Sequence, residues 1–434
     1  HERVADFLEM RISNNFYIFY QNIFKVPASS FIKISKNNTN SFIKYTSNKK
    51  IKINKDNLAE TAKNLKKYLV SAMKRDKLEN VTKVGFTFSG GLDSSSIISL
   101  FKENKSENQS IFALTSDYEE LEKNLKKNIS EIDFQDEIIK SDEITQLKFN
   151  GISKSTLDDI DLFLDVIGEP FFFPNLYVPY NCYLNARKEG IFTVFNGNDG
   201  DTVISHGYEF LRELFVSLRW LRLKKEISSL SKRINKRQKL IFKRLIFSRI
   251  FYGYKNFIIS FLKLDRYLYK PLLAKSAFLK SSNFYKNNKA NLPKIRASSF
   301  HKAVMDQSLA FDAIEKQGVI AAYLGIKEQY PFYDSDVVNY CLSIKPSFKL
   351  KNGFQRFILR EAMKGIMPEK NRLRTDKADL SAALIWFLRN KNKEFVEKSI
   401  QNPHTYLLPK IDQNKLISAW EKINKNDGLS GGSP

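Results

Sequence analysis

Val84-Gly85-Phe86-Thr87-Phe88-Ser89-Gly90-Gly91-Leu92-Asp93-Ser94-Ser95 is the stretch that decides how this chain folds. Its first five residues carry no charge and read as a strand buried on both faces, the kind found inside parallel sheets. Two glycines follow, then a helix-like run from about Ser94 to Asn104. Glycines leave no Cβ in the way of an anion, so backbone N–H groups can approach it closely, and the helix start adds its positive end. Phe88, Ser89, Gly90, Gly91, Leu92, Asp93, Ser94 and Ser95 therefore read as a polyphosphate cradle. Asp93 has the wrong sign for bare phosphate and makes sense as a ligand for Mg²⁺, which takes carboxylate and phosphate oxygens together. A Walker A loop would place a lysine directly after its second glycine, and none stands here.

Outward from this loop, further apolar β runs occur at Ser110–Leu114 and Ile191–Phe195, with helical stretches between them, one of them near Leu176–Arg187. Strand and helix alternating at this spacing predict an α/β fold with a doubly wound parallel sheet. Directly after the third run stands Asn196-Gly197-Asn198-Asp199-Gly200-Asp201. An open sheet places its ligands at such strand ends, so Asp201 is the second candidate Mg²⁺ ligand, although Asp/Asn/Gly clusters taken alone are usually turns.

The apolar spacing Leu58, Ala62, Leu65, Leu69, Met73 predicts a helix, with Asp56 as its cap. Residues 1–48 read as short strands at Phe16–Phe19, Ile23–Pro27 and Phe31–Ile34, too little to hold a core alone. Residues 205–425 read as mainly helical. Within them, 216–255 carries thirteen Lys/Arg against the single acid Glu226, interleaved with aromatic and aliphatic residues. An amphipathic helix pair packing its apolar side on the core accounts for this; an RNA-binding or anionic membrane-binding surface is the competing reading. The closing Gly/Ser-rich residues 426–434 read as a flexible tail.

At 42% hydrophobic and 27% charged, the 434 residues have an ordinary globular composition, and a net charge of +24 favours anionic partners without naming one. No apolar run is long enough for a membrane-spanning helix. Cys182 and Cys341 are too few for a disulfide framework and suit a reducing, cytoplasmic setting as core residues. Four histidines without close spacing speak against zinc. The chain begins at His1 without a signal-peptide pattern and reads as a fragment or processed form.

From about Leu58 to Ser381 the sequence resembles the C-terminal synthetase domain shared by asparagine synthetase, β-lactam synthetase and the lasso-peptide cyclases. In addition to the two loops, Glu169-Pro170, Tyr330-Pro331-Phe332-Tyr333-Asp334, Leu359-Arg360-Glu361-Ala362 and Met367-Pro368-Glu369 are similar to that family's landmarks, in the same order. Arg374 and Lys377 match its late basic motif. The resemblance implies an ATP-pyrophosphatase fold that cuts ATP between its α and β phosphates. It also implies Mg²⁺ on Asp93 and Asp201, Lys377 and Arg374 at the reacting centre, and Leu114, Asn196 and Gly197 beside the adenosine. The domains implied are a glutaminase-like β remnant over 1–50 and the synthetase over 51–425, with a basic helical segment at 205–300.

The chain also departs from that pattern. At position 198 the family has glutamate when ammonia is the nucleophile and tyrosine or histidine in ring-closing members; Asn198 fits neither, and an amide is no base near neutral pH, but it can donate and accept hydrogen bonds and stands as a candidate catalytic residue with Lys377 and Arg374. Lys327 and Gln329 stand where the family has glutamate and arginine. No cysteine can serve as a glutaminase nucleophile, so the front domain is missing or a partner chain supplies it. The resemblance therefore implies an AMP-forming amide ligase acting on ATP and a carboxylate-bearing substrate. That substrate is a peptide closed on itself in one reading and a small acid amidated with ammonia in the other. His206 is a candidate base or a packing histidine. No specific nucleic-acid partner is expected.

Overall fold

The computed structural model describes residues 1–12, 16–35, 41–44, 52–75, 78–119, 121, 131–140, 143–264, 268–289, 294–306, 308–375 and 381–425. Its centre is a five-stranded sheet of β1 (Lys83–Thr87), β2 (Ser110–Asp117), β3 (Ile144–Asn150), β4 (Thr193–Asn196) and β5 (Lys327–Gln329). All neighbours are parallel and the order is β3-β2-β1-β4-β5. The expected doubly wound α/β fold is therefore observed.

Successive residues of a strand point to opposite faces, and two cores result. On one face Val84, Phe86 and Phe195 pack under α1 (Leu58–Lys74) and α2 (Leu92–Asn104). On the other, Leu114 and Val194 pack under α3 (Tyr177–Lys188) and the buried residues Ile320 and Ala321. Phe86 and Phe195 stack with ring centroids 5.4 Å apart; burying each contributes about 2 kcal/mol. Between β1 and β4 the chain direction reverses across the sheet, because β1 leads through α2 to β2 on one side while β4 lies on the other. That is the switch point at which open sheets bind ligands.

Several expectations shift. The cap of α1 is Asn57, not Asp56: Asn57 accepts from the Glu60 N–H at 3.0 Å while Glu60 accepts from the Asn57 N–H at 3.1 Å. Asn57 prevails because the reciprocal pair satisfies two orphan donors at once; Asp56 accepts instead from Asn64. The N-terminal stretch holds a helix at Glu2–Leu8 that the strand reading missed. The runs at 16–19 and 23–27 reduce to a single bridge between Tyr17 and Phe24, followed by the hairpin Ser30–Lys33 with Ser41–Lys44. Glu9, just past that helix, accepts from the backbone N–H groups of Leu272, Leu273 and Ala274 at 2.7, 3.1 and 2.9 Å. Arg3 forms a buried ion pair with Asp312 at 3.1 Å. The C-terminal region is mainly helical as expected, apart from β5 and a two-residue ladder at Leu350–Lys351 with Phe354–Gln355. Residues 426–434 lie outside the described residues.

The basic segment divides in two. The helix α4 (Trp220–Ile234) buries Leu223, Ile227 and Leu230 against Phe210, Leu211 and Leu214, which is the packed amphipathic arrangement. The helix α5 (Ser248–Phe261) buries only Ser260. No helix among the described residues is long and apolar enough to cross a membrane.

Candidate active site

The first loop leaves β1 with Phe88 in the core, its N–H donating to the Leu114 carbonyl at 2.9 Å. Leu114 is thereby held at the strand end, 1% exposed. Gly90 has φ +84°, a conformation that an L side chain resists, and a Cβ there would lie 3.0 Å from the Gln135 backbone nitrogen. The loop is tied by serine hydroxyls: Ser89 Oγ accepts from the Gly91 N–H at 3.2 Å and lies 3.2 Å from Ser94 Oγ. Gly91 caps α2 without a side chain, so the helix opens on bare N–H groups. This is the geometry of an anion cradle. Leu92 and Ser95 are buried and anchor the first turn of α2.

The second loop leaves β4 and meets the first. A Cβ on Gly197 would lie 2.7 Å from Ser94 Cα, and one on Gly200 would lie 2.7 Å from the Asp93 carboxyl carbon. Backbone therefore presses directly on the α2 start and on Asp93, which only glycine permits. Asp201 follows Gly200, with the His206 Nε2 3.6 Å from its carboxylate. His206 in turn stacks on Tyr208 with centroids 5.5 Å apart. Asp93 and Asp201 thus sit on two strand-end loops that touch, and both offer hard oxygen donors. This arrangement fits Mg²⁺, which would take these carboxylates together with phosphate oxygens. No group of three or more His, Cys, Asp or Glu suited to a metal is present among the described residues, so protein donors alone would not complete its shell.

Arg356, which the sequence reading did not single out, donates to Asp93 Oδ2 at 2.5 Å, and both side chains are less than a fifth exposed. It holds φ +51° directly before the helix Phe357–Ala362. A guanidinium here adds positive charge beside the cradle. Nothing in the sequence marks it, because its partner is 263 positions away. Arg374 is buried, its guanidinium 2.9 Å from Glu131 and 3.9 Å from the Phe134 ring centroid. Glu131 Oε2 in turn lies 3.5 Å from where a Cβ on Gly91 would stand. Arg374 thus braces the outer side of the loop through Glu131. Lys377 lies outside the described residues.

On the other side of the second loop is a polar floor that the sequence did not reveal. Glu328 on β5 accepts from Asn196 at 2.9 Å, from Tyr330 at 2.6 Å, and also from Tyr183 and Gln317. Burial raises its pKa and the four donors act against that rise. Asn198 joins the same network: its N–H donates to Asn196 Oδ1 at 2.9 Å and its amide donates to Gln317 Oε1 at 3.3 Å. On the far side Tyr333 donates to Asp199 at 3.0 Å; burial, reinforced by Asp199, raises the Tyr333 hydroxyl pKa and keeps it protonated.

The second loop is also held from below. His301 Nε2 donates to the Thr202 carbonyl at 2.9 Å while its Nδ1 faces Lys349 Nζ at 2.8 Å. Burial first, then Lys349, pushes the His301 pKa down to about 3. A neutral imidazole in the folded chain and a titrating one in the unfolded chain make stability fall with acid. The contribution is complete above pH ~6.5 and is lost progressively towards pH 3. His301→Gln is expected to flatten the thermal-melting profile between pH 6.5 and about 4, where the native chain loses on the order of 3 kcal/mol.

Two comparisons with known proteins bear on this geometry. A search of curated proteins found no match. The family profile described as Asparagine synthase matches residues 64–430, a range that holds both loops, Arg356, Arg374 and the Glu328 floor. On that match and on the geometry it covers, the chain belongs to the asparagine synthase family of ATP-dependent amide-forming synthetases.

Proposed function

We propose that the protein activates a carboxylate with ATP, forming an acyl-adenylate and pyrophosphate, and then passes the acyl group to an amine carried by the substrate itself. The observation that carries this reading is the contact of the two strand-end loops, Gly197 on the α2 start and Gly200 on Asp93. This contact supports reading a phosphate cradle and two carboxylates as acting together at one switch point of the sheet. When bound there, Mg²⁺ would neutralise polyphosphate charge. The Ser89–Ser95 N–H and hydroxyl groups would cradle the phosphates, while Arg356 adds charge that favours the departing pyrophosphate. In this reading Leu114, Asn196 and Gly197 border the adenosine, Arg374 braces the loop, and Lys377 has the role its resemblance implies.

The choice of a substrate-borne amine over ammonia rests on Asn198. Its amide is engaged by Gln317, and the neighbouring Asn196 is turned to Glu328, so no ionised carboxylate stands at position 198 to receive a proton from ammonia. Asn198 also differs from the tyrosine or histidine of ring-closing members, so position 198 speaks against ammonia without itself identifying the amine; peptide ring closure is the form proposed, and amidation of a small acid is the alternative. Pyrophosphate release measured against a panel of carboxylates separates them. A peptide bearing both a carboxylate and an amine is expected to stimulate release, with AMP formed in equal amount. Stimulation by free aspartate plus ammonia instead would overturn the proposal.

A further inference from the structure

The helix α5 carries an apolar stripe that the protein leaves in solvent. Phe247, the residue directly before α5, and Phe251, Tyr254, Ile258 and Phe261 within it follow one another at spacings of four and three, so they line one side of the helix. Four of them are more than half exposed and Tyr254 is 36% exposed. One residue behind this stripe, Ile246 just before the helix and the partly buried Ile250 in its first turn pack on the core, and Ser260 near its end is buried, which ties the helix to the body of the protein. The exposed side is therefore held outward and does not await a fold of its own. Phe247 and Phe251 stack face to face at 5.7 Å, which keeps the stripe flat.

The charges around this stripe choose its partner. Lys243, Arg244, Arg249, Lys255 and Lys263 are all exposed, and no acid occurs between Glu226 and Asp265. A second copy of the chain laid along the stripe would set these cations against their own duplicates. An anionic surface would neutralise them, and a helix with aromatic and aliphatic residues on one side and Lys/Arg beside them suits the boundary between headgroups and acyl chains.

From this we infer that α5 docks the protein on an anionic lipid surface, lying in its plane with Phe247, Phe251, Ile258 and Phe261 sunk below the headgroups and the basic residues at headgroup level.

Sedimentation of the full chain with phosphatidylcholine vesicles, with and without phosphatidylglycerol, tests this. Binding is expected only to the anionic vesicles and is expected to weaken as salt rises. The double substitution Phe251→Ser with Ile258→Ser is expected to lower vesicle affinity at least about tenfold, with an unchanged melting temperature and unchanged pyrophosphate release, because both side chains are exposed. Lys243→Glu with Arg244→Glu is expected to weaken binding to anionic vesicles as well. Equal sedimentation of the wild type and the Phe251/Ile258 variant would overturn the inference, as would equal binding to neutral vesicles. It would also fall if the wild type formed a dimer that the same double substitution dissolves, or if an RNA homopolymer displaced it from the vesicles.

Discussion

Exchanging Asp93 for asparagine is expected to lower ATP-dependent pyrophosphate release about 10³-fold, roughly 4 kcal/mol of transition-state stabilisation. Two effects act together. The amide loses the charge that would hold Mg²⁺ against the phosphates, and it also leaves Arg356 without the carboxylate it donates to at 2.5 Å. Because both side chains are less than a fifth exposed, the lost ion pair is also expected to cost about 3 kcal/mol of stability. Asp201→Asn separates the two, since Asp201 is not the partner of Arg356. It is expected to lose activity on a similar scale with a much smaller shift in melting temperature. The double variant is expected to be no worse in activity than either single one, because the two carboxylates would act on one ion. Full activity in both single variants would remove the ligase reading altogether.

Gly197→Ala is expected to reduce turnover about a hundredfold although it adds one methyl group. That carbon would stand 2.7 Å from Ser94 Cα and 2.8 Å from Ser94 N, both backbone atoms that cannot swing aside. The second loop must then retreat, taking Asp201 and Asn198 with it and opening the contact that joins the two halves of the site. Overpacking of this kind costs about 1–3 kcal/mol of stability as well. Gly318→Ala is the control: a Cβ there meets nothing within 4 Å, and near-native activity is expected. Steady-state kinetics and thermal melts of the two variants side by side check both expectations.

The strand, the glycine loop and the helix after it were legible in the sequence because each is a local signal: an uncharged apolar run, two residues without a Cβ, and a helical period. The second loop was legible because it too follows an apolar strand. The fifth strand was not, since Lys327-Glu328-Gln329 is short and polar and becomes a strand only by pairing with Thr193–Phe195. Glu328 stayed hidden for the same reason, as three of its four donors, Tyr183, Asn196 and Gln317, come from three other segments of the chain. Arg356 was invisible because its meaning lies in Asp93 and in a left-handed backbone that no residue type there announces. In the basic segment, composition marked both helices but could not tell the packed α4 from the exposed α5, because that difference depends on which neighbour is near enough to cover each.

The separation of β4 from β5 also sets an order of assembly. Asn196 and Glu328 share a hydrogen bond although 132 positions divide them. Closing so long a loop carries an entropic cost that the three residues of β5 cannot offset by themselves. β4 meets a similar separation when it pairs with β1, Thr87 and Phe195 standing 108 positions apart, but β1 to β4, with the phosphate loop between them, are synthesised before β5. The newborn chain would thus hold its nucleotide end in place before Glu328 and Tyr330 exist to form the floor, and only the last third of synthesis would give the site a wall against which a substrate could be recognised.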